Sequence, residues 1–168
     1  MKHILSILCV ALITGCTASY QQSELTEPTV KLDPSKAVTI ATPDDGWYED
    51  KEYKNSGQMT ASAVRAEFAK HATQTDISET CAQVDCVDAQ TYGYLVVPTI
   101  LHWEDRVTEW SGKADRLEIQ LQVYDVASGT EIANATLQGK SKWATFGGDH
   151  PQDLLEAPVT EYVAALYE

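Results

Sequence analysis

Cys81 and Cys86, enclosing four residues in CAQVDC, carry the sharpest chemical signal in the sequence. In an oxidising compartment two thiols at this spacing most simply form a disulfide, and closing so short a loop stabilises by about 2 kcal/mol in the chain-entropy model. Free thiols are a second reading. Zinc, with His71 as a third ligand, is a third, although the sequence has neither C-x-x-C spacing nor a second cysteine pair. His102 stands in HWED beside Glu104 and Asp105. A general base or metal ligand has this setting, and so does a histidine hydrogen-bonded at a strand end, which is preferred. His150 follows two glycines and Asp149, where it is half of a catalytic pair or, more simply, a helix cap. Between residues 44 and 52 lie five acids, Asp44, Asp45, Glu49, Asp50 and Glu52. They lack the D-x-D-x-D-G order and the bidentate glutamate of a calcium loop, so a solvated loop is expected. No G-x-S-x-G, phosphate loop, H-E-x-x-H or dinucleotide fingerprint occurs. The expectation is therefore no catalytic residue, no metal and no cofactor, with His102, His150 and nearby acids held as the alternative of a periplasmic hydrolase or a small-ligand- or metal-binding protein.

The tryptophans offer a different chemistry. Trp47, Trp110 and Trp143 fall in or beside expected loops, whereas Trp103 lies inside a strand. Large aromatics beside loops either close the core or anchor a binding surface, and tryptophan is enriched at interface hot spots. Trp47, Arg106, Glu109, Trp110, Lys142 and Trp143 make the candidate binding surface.

Short strands and two helices must position these side chains. Residues 37–41 read as a strand ended by the turn Thr42-Pro43-Asp44-Asp45-Gly46. Ser56 suits an N-cap, and Ala61, Val64, Phe68 and Ala72 recur on one face of a helix over 58–72. Residues 75–78 form a short strand and 85–91 a helical turn. Residues 92–104 are apolar on both faces, as in a central strand, and Pro98 there predicts a bulge or an edge. Residues 115–124 alternate cleanly, with Leu117, Ile119, Leu121 and Val123 on one side and one wet face opposite. A hairpin loop with Gly129 at positive φ leads to a return strand over 131–142, then a loop and a final helix starting at Pro158. The expected fold is α+β, a single mixed sheet of four to five strands with two helices in the order β-α-β-(turn)-β-β-β-α.

The chain's first sixteen residues, MKHILSILCVALITGC, pair one lysine with an apolar run too short to cross a bilayer, the pattern of a secretory signal. Ile13-Thr14-Gly15-Cys16 resembles a bacterial lipobox. The resemblance implies cleavage before Cys16 and acylation of its thiol and amine, with fatty chains such as palmitate. Three chains exceed the two signals that stable anchoring requires. Thr17 after the cysteine, by resemblance to enterobacterial lipoproteins, implies sorting to the outer membrane, on the periplasmic side. The expected organisation is a signal peptide over 1–15, the lipidated cysteine and a polar, proline-bearing tether over 16–36, and a periplasmic domain over 37–168.

Composition limits the partners. The 168 residues hold 12 Lys+Arg and 25 Asp+Glu, a net charge of −13, with 43% hydrophobic residues. That balance is globular and excludes a multi-pass membrane protein and a nucleic-acid binder, which would need a basic face. Cleavage removes Lys2 and no acid, leaving −14.

The segments ILHWEDRVTEWSGKADRLEI, the DxxSG hairpin and GKSKWATFGGDHPQDLL resemble a family of uncharacterised proteobacterial lipoproteins known only as a domain of unknown function. At fold level, the lipobox, tether and strand order are similar to the periplasmic α/β domain of the Tol translocation protein's amino-terminal region, the curli secretion lipoprotein and the lipoprotein activator of penicillin-binding proteins. Those relatives imply action by binding proteins or assembling into rings. No alternating membrane-spanning strands are evident, which speaks against a secretion channel. The expectation is a non-enzymatic, lipid-anchored factor that binds an envelope protein, with a homo-oligomeric assembly as a further reading.

Overall fold

The computed structural model describes residues 18–28, 30–106, 113–141 and 150–168. In chain order its elements are β1 (Ser19–Thr26), β2 (Val38–Ala41), β3 (Gly46–Tyr48), β4 (Lys51–Tyr53), α1 (Ser56–Phe68), β5 (Thr75–Ser78), β6 (Tyr94–Glu104), β7 (Arg116–Asp125), β8 (Thr130–Lys140) and α2 (Glu156–Tyr167). Six strands form one sheet in the order β1-β8-β7-β6-β2-β5, and β3 pairs β4 in a separate hairpin. β2 runs parallel to both β5 and β6, while the remaining neighbours are antiparallel. The class is α+β with a mixed sheet and two helices, as the patterning predicts, but the main sheet has six strands rather than four to five.

The additional strand comes from the segment expected to be tether. β1 pairs along β8 from Ser19 opposite Lys140 to Thr26 opposite Asn134. It is almost wholly exposed, so no apolar alternation marks it; its ladder hydrogen bonds to β8 hold it there. Farther on, Leu32 is buried in the core, and its N–H donates to the Leu166 carbonyl at 2.9 Å. Thus the folded body includes residues from the 16–36 stretch.

The alternation of β7 determines which face is covered. Leu117, Ile119, Leu121 and Val123 point to the helices, joined by Ala133, Ala135 and Leu137 of β8. Val64 and Phe68 of α1 and Val159, Tyr162, Val163 and Leu166 of α2 complete that core. The opposite face is polar and internally bonded. Gln120 Nε2 donates to Asn134 Oδ1 at 2.9 Å, Gln122 Nε2 to Glu131 Oε2 at 2.9 Å, and Thr26 Oγ1 to Glu131 Oε1 at 2.7 Å.

Local boundaries differ in instructive ways. α1 begins at Ser56, which is buried inside the first turn rather than capping it. The cap comes from Asp45, whose carboxylate accepts from Asn55 N–H at 3.0 Å and Gly57 N–H at 2.8 Å. Pro98 causes no bulge; the irregularity lies between Ile100 and His102. The β2 ladder already stops at Val96, so no partner on that side requires the donor that Pro98 lacks. α2 starts two residues before Pro158, a first-turn position where a missing N–H is tolerated.

Candidate functional site

The C-terminal end of β6, the start of β7, the end of β8 and the start of β1 meet at one end of the sheet. Register fixes two rows of side chains on the polar face there. His102, Glu118, Gln138 and Gln21 lie across one row, and Glu104, Arg116, Lys140 and Ser19 across the next. The rows line a cleft of about 260 Å³ that includes His102, Arg116, Glu118, Gln138, Lys140 and Ser19.

Behind His102 stands a buried carboxylate. Glu104 is 2% exposed; its Oε2 lies 3.1 Å from His102 Nε2, and its Oε1 pairs with the Arg106 guanidinium. Burial, then Arg116 and Arg106, push the His102 pKa below the usual imidazole value against the pull of Glu118. A carboxylate only accepts, so a neutral His102 donates from Nε2–H; the contact is a hydrogen bond rather than an ion pair. The Tyr48 ring meets His102 edge-on at 5.1 Å, and Arg106 lies over the same ring at 5.7 Å. The β3–β4 hairpin can approach this closely because residue 46 is glycine. A methyl there would stand 2.7 Å from the Trp103 Cβ.

His150 has a different neighbour. Its Nδ1 lies 3.3 Å from Asp105 Oδ1, and it does not line the cleft. The His150 backbone N–H donates to Asp153 Oδ2 at 3.0 Å, so His150 occupies the N-cap position of the turn Pro151–Leu154 while its side chain is turned to Asp105. Asp115, buried nearby, accepts from the Arg106 N–H, and burial raises its carboxyl pKa. Thus the two histidines bond to adjacent but separate acids and do not share a cleft. Ser19, the one hydroxyl lining the cleft among the described residues, stands three strands from β6. At about 4.8 Å per strand that is roughly 14 Å, too far for a serine–histidine pair.

Cys81 and Cys86 are bonded to each other with Cα atoms 5.8 Å apart, and His71 stacks on Tyr167 at 4.9 Å, away from zinc-ligand duty. Among the described residues no three His, Cys, Asp or Glu side chains gather as a metal site. Also among them, no helix is long and apolar enough to cross a membrane. Of the expected binding surface, Trp47 is 58% exposed and therefore no lid on the core, and Arg106 is occupied by Glu104, with Tyr48 Oη at 3.3 Å. Cys16, Glu109, Trp110, Lys142 and Trp143 lie outside the described residues. Sequence reasoning did not single out Arg116, Lys140, Glu118 or Gln138. Only the strand register, through Glu104 opposite Arg116 and Arg116 opposite Lys140, could have joined them.

The fold has solved counterparts. A point variant of PelC from Paraburkholderia phytofirmans, crystallised as a dodecamer, superposes with TM-score 0.67 at 13% identity, covering 89% of this chain and 97% of that one. Another crystal form of the PelC dodecamer gives 0.66 at 12% identity, covering 89% and 96%. A hypothetical protein from Chlamydia trachomatis gives 0.52 at 10% identity, covering 78% and 94%. At such identities these likenesses show a shared fold. No curated protein sequence matches the chain. The family described as a domain of unknown function (DUF4823) matches residues 30–166, nearly the whole folded body, and the chain belongs to that family.

Proposed function

We propose that this protein is a non-enzymatic lipoprotein, held on the periplasmic side of the outer membrane by acylated Cys16, that acts by associating with copies of itself and with an envelope protein. One observation carries this reading. Among the described residues, β1 and β5 are the edge strands of the six-stranded sheet, which presents a polar face whose amides and hydroxyls bond one another rather than converge on a reaction centre. Unpaired edges are a common route to protein association. The likeness to a chain that crystallised as a dodecamer supports multiplicity of copies. The separation of His102 from His150, and of Ser19 from His102, weighs against the hydrolase alternative.

The test is the mass of the lipidated protein extracted in mild detergent, combined with crosslinking in living cells. A defined multimer and a crosslinked envelope protein are the expected results. A monomer that captures nothing would remove the proposal. A Cys16→Ser variant should leave the membrane fraction; its retention there would separately remove the anchor.

A further inference from the structure

We propose that the cleft-bearing end of the sheet docks on the bilayer that anchors Cys16, with Arg116 and Lys140 seated on the phosphate groups of anionic lipids. This rests on the acylated Cys16 of the preceding reading. Only two residues separate Cys16 from Ser19, the first residue of β1, so the three Cα–Cα steps between them span at most about 10 Å when extended. Ser19 lies opposite Lys140, and Lys140 opposite Arg116. An acyl anchor on Cys16 therefore brings both cations to the headgroup layer and gives the domain an orientation as well as an address.

Charge complementarity selects the lipid. Without the signal the chain is formally −14, so its net charge is repelled by a negative surface and docking there needs a local cationic contact. Arg116 and Lys140 are exposed, and neither has a hydrogen bond or ion pair to a carboxylate among the described residues. The groups facing the cleft from neighbouring strands are Glu118 on β7 and His102 on β6, the latter donating to Glu104. Glu104, in the same row as Arg116, is paired with Arg106, so Glu118 against Arg116 and Lys140 leaves a net positive mouth suited to a single phosphate. Gln138 and Ser19 supply neutral donors around it. At the opposite end of β7, by contrast, Lys36 is already held by Asp125.

The experiment uses the lipidated full chain in vesicles of phosphatidylcholine, with or without phosphatidylglycerol. Lysine amines are labelled and read peptide by peptide by mass spectrometry. Labelling of Lys140 should fall about fivefold in the phosphatidylglycerol vesicles, the effect of about one surface cation on an anionic membrane. High salt should restore it, Lys70 just past the far end of α1 should not change, and Arg116→Gln should weaken the protection while the far-ultraviolet spectrum stays constant. An intact mass without acyl chains overturns the anchor reading and this inference together. An acylated protein whose Lys140 labels equally in both vesicles overturns the docking alone. Equal protection by inorganic phosphate in detergent assigns the cleft to a soluble anion and also overturns the docking.

Discussion

The two ends of the sheet handle charge in opposite ways. At the β7–β8 turn, the Asp125 carboxylate accepts from the Ser128 N–H and hydroxyl, both at 2.9 Å, and from Lys36 at 3.3 Å. Gly129 turns the chain there at φ 70°, and Lys36 also lies over the Tyr94 ring at 5.0 Å. Every charge at that turn is used to close it. At the other end, Glu104 is buried against Arg106 and His102, yet Arg116 and Lys140 beside it are left pointing at solvent. Charges consumed by the fold report on stability, whereas charges left over report on what the fold meets.

That contrast can be tested, beginning with the common core. Trp103 is buried beneath the cleft end, and Trp103→Ala should cost about 3–5 kcal/mol in urea unfolding. A loss below about 1 kcal/mol would mean that the cleft end is not supported by the core at all. Replacing Cys81 and Cys86 by serine should cost about 2 kcal/mol, measured the same way, while leaving vesicle docking unchanged, because that bond lies in the β5–β6 connection.

Asp125→Asn should cost about 1–2 kcal/mol at neutral pH, since the charge that strengthens the Ser128 hydrogen bonds and pairs with Lys36 is removed. The Asp125 carboxyl is held below its ordinary value by the Ser128 amide, then by the Ser128 hydroxyl and Lys36, against the effect of burial. With the folded value depressed, this stabilisation is complete above the unfolded carboxylate pKa of about 3.9 and is lost as pH falls through the folded value. The wild-type and Asp125→Asn stability curves should therefore converge in acid. Parallel curves would show that Asp125 acts through its shape and not its charge.

The closed end was more legible in the sequence than the open one. Alternation in 115–124 and Gly129 at a turn position are local signals, and they place β7, its hairpin and its wet face. β1 gave no such signal. Ser19–Thr26 buries almost nothing, and its stability comes from β8, more than a hundred residues away in sequence. The α1 cap escaped for a related reason: Asp45 reaches Gly57 across the β3–β4 hairpin, outside any capping motif. In the candidate site, His102 and Glu104 were visible as neighbours in HWED, but Arg116 and Lys140 become neighbours only through register. Separately they are unremarkable surface cations. The buried state of Glu104 was also hidden, because an acid at a strand end normally faces water.

The smallest expected effect discriminates best. Arg116→Gln and Lys140→Gln, singly or together, should change unfolding free energy by no more than about 0.5 kcal/mol, since among the described residues neither side chain has an ion pair to a carboxylate to lose. Removing Arg116 also removes a cation that depresses the His102 pKa, so His102 should titrate at higher pH in Arg116→Gln, readable from its imidazole proton shifts in NMR. Depression of a histidine pKa makes the folded state prefer neutral imidazole, so this part of stability is present above about pH 6.5 and lost as pH falls. Arg116→Gln should therefore resist mild acid slightly better than wild type. A double variant that lost stability on the scale of Asp125→Asn would show that the cleft cations belong to the fold, and the two ends of the sheet would no longer differ in kind.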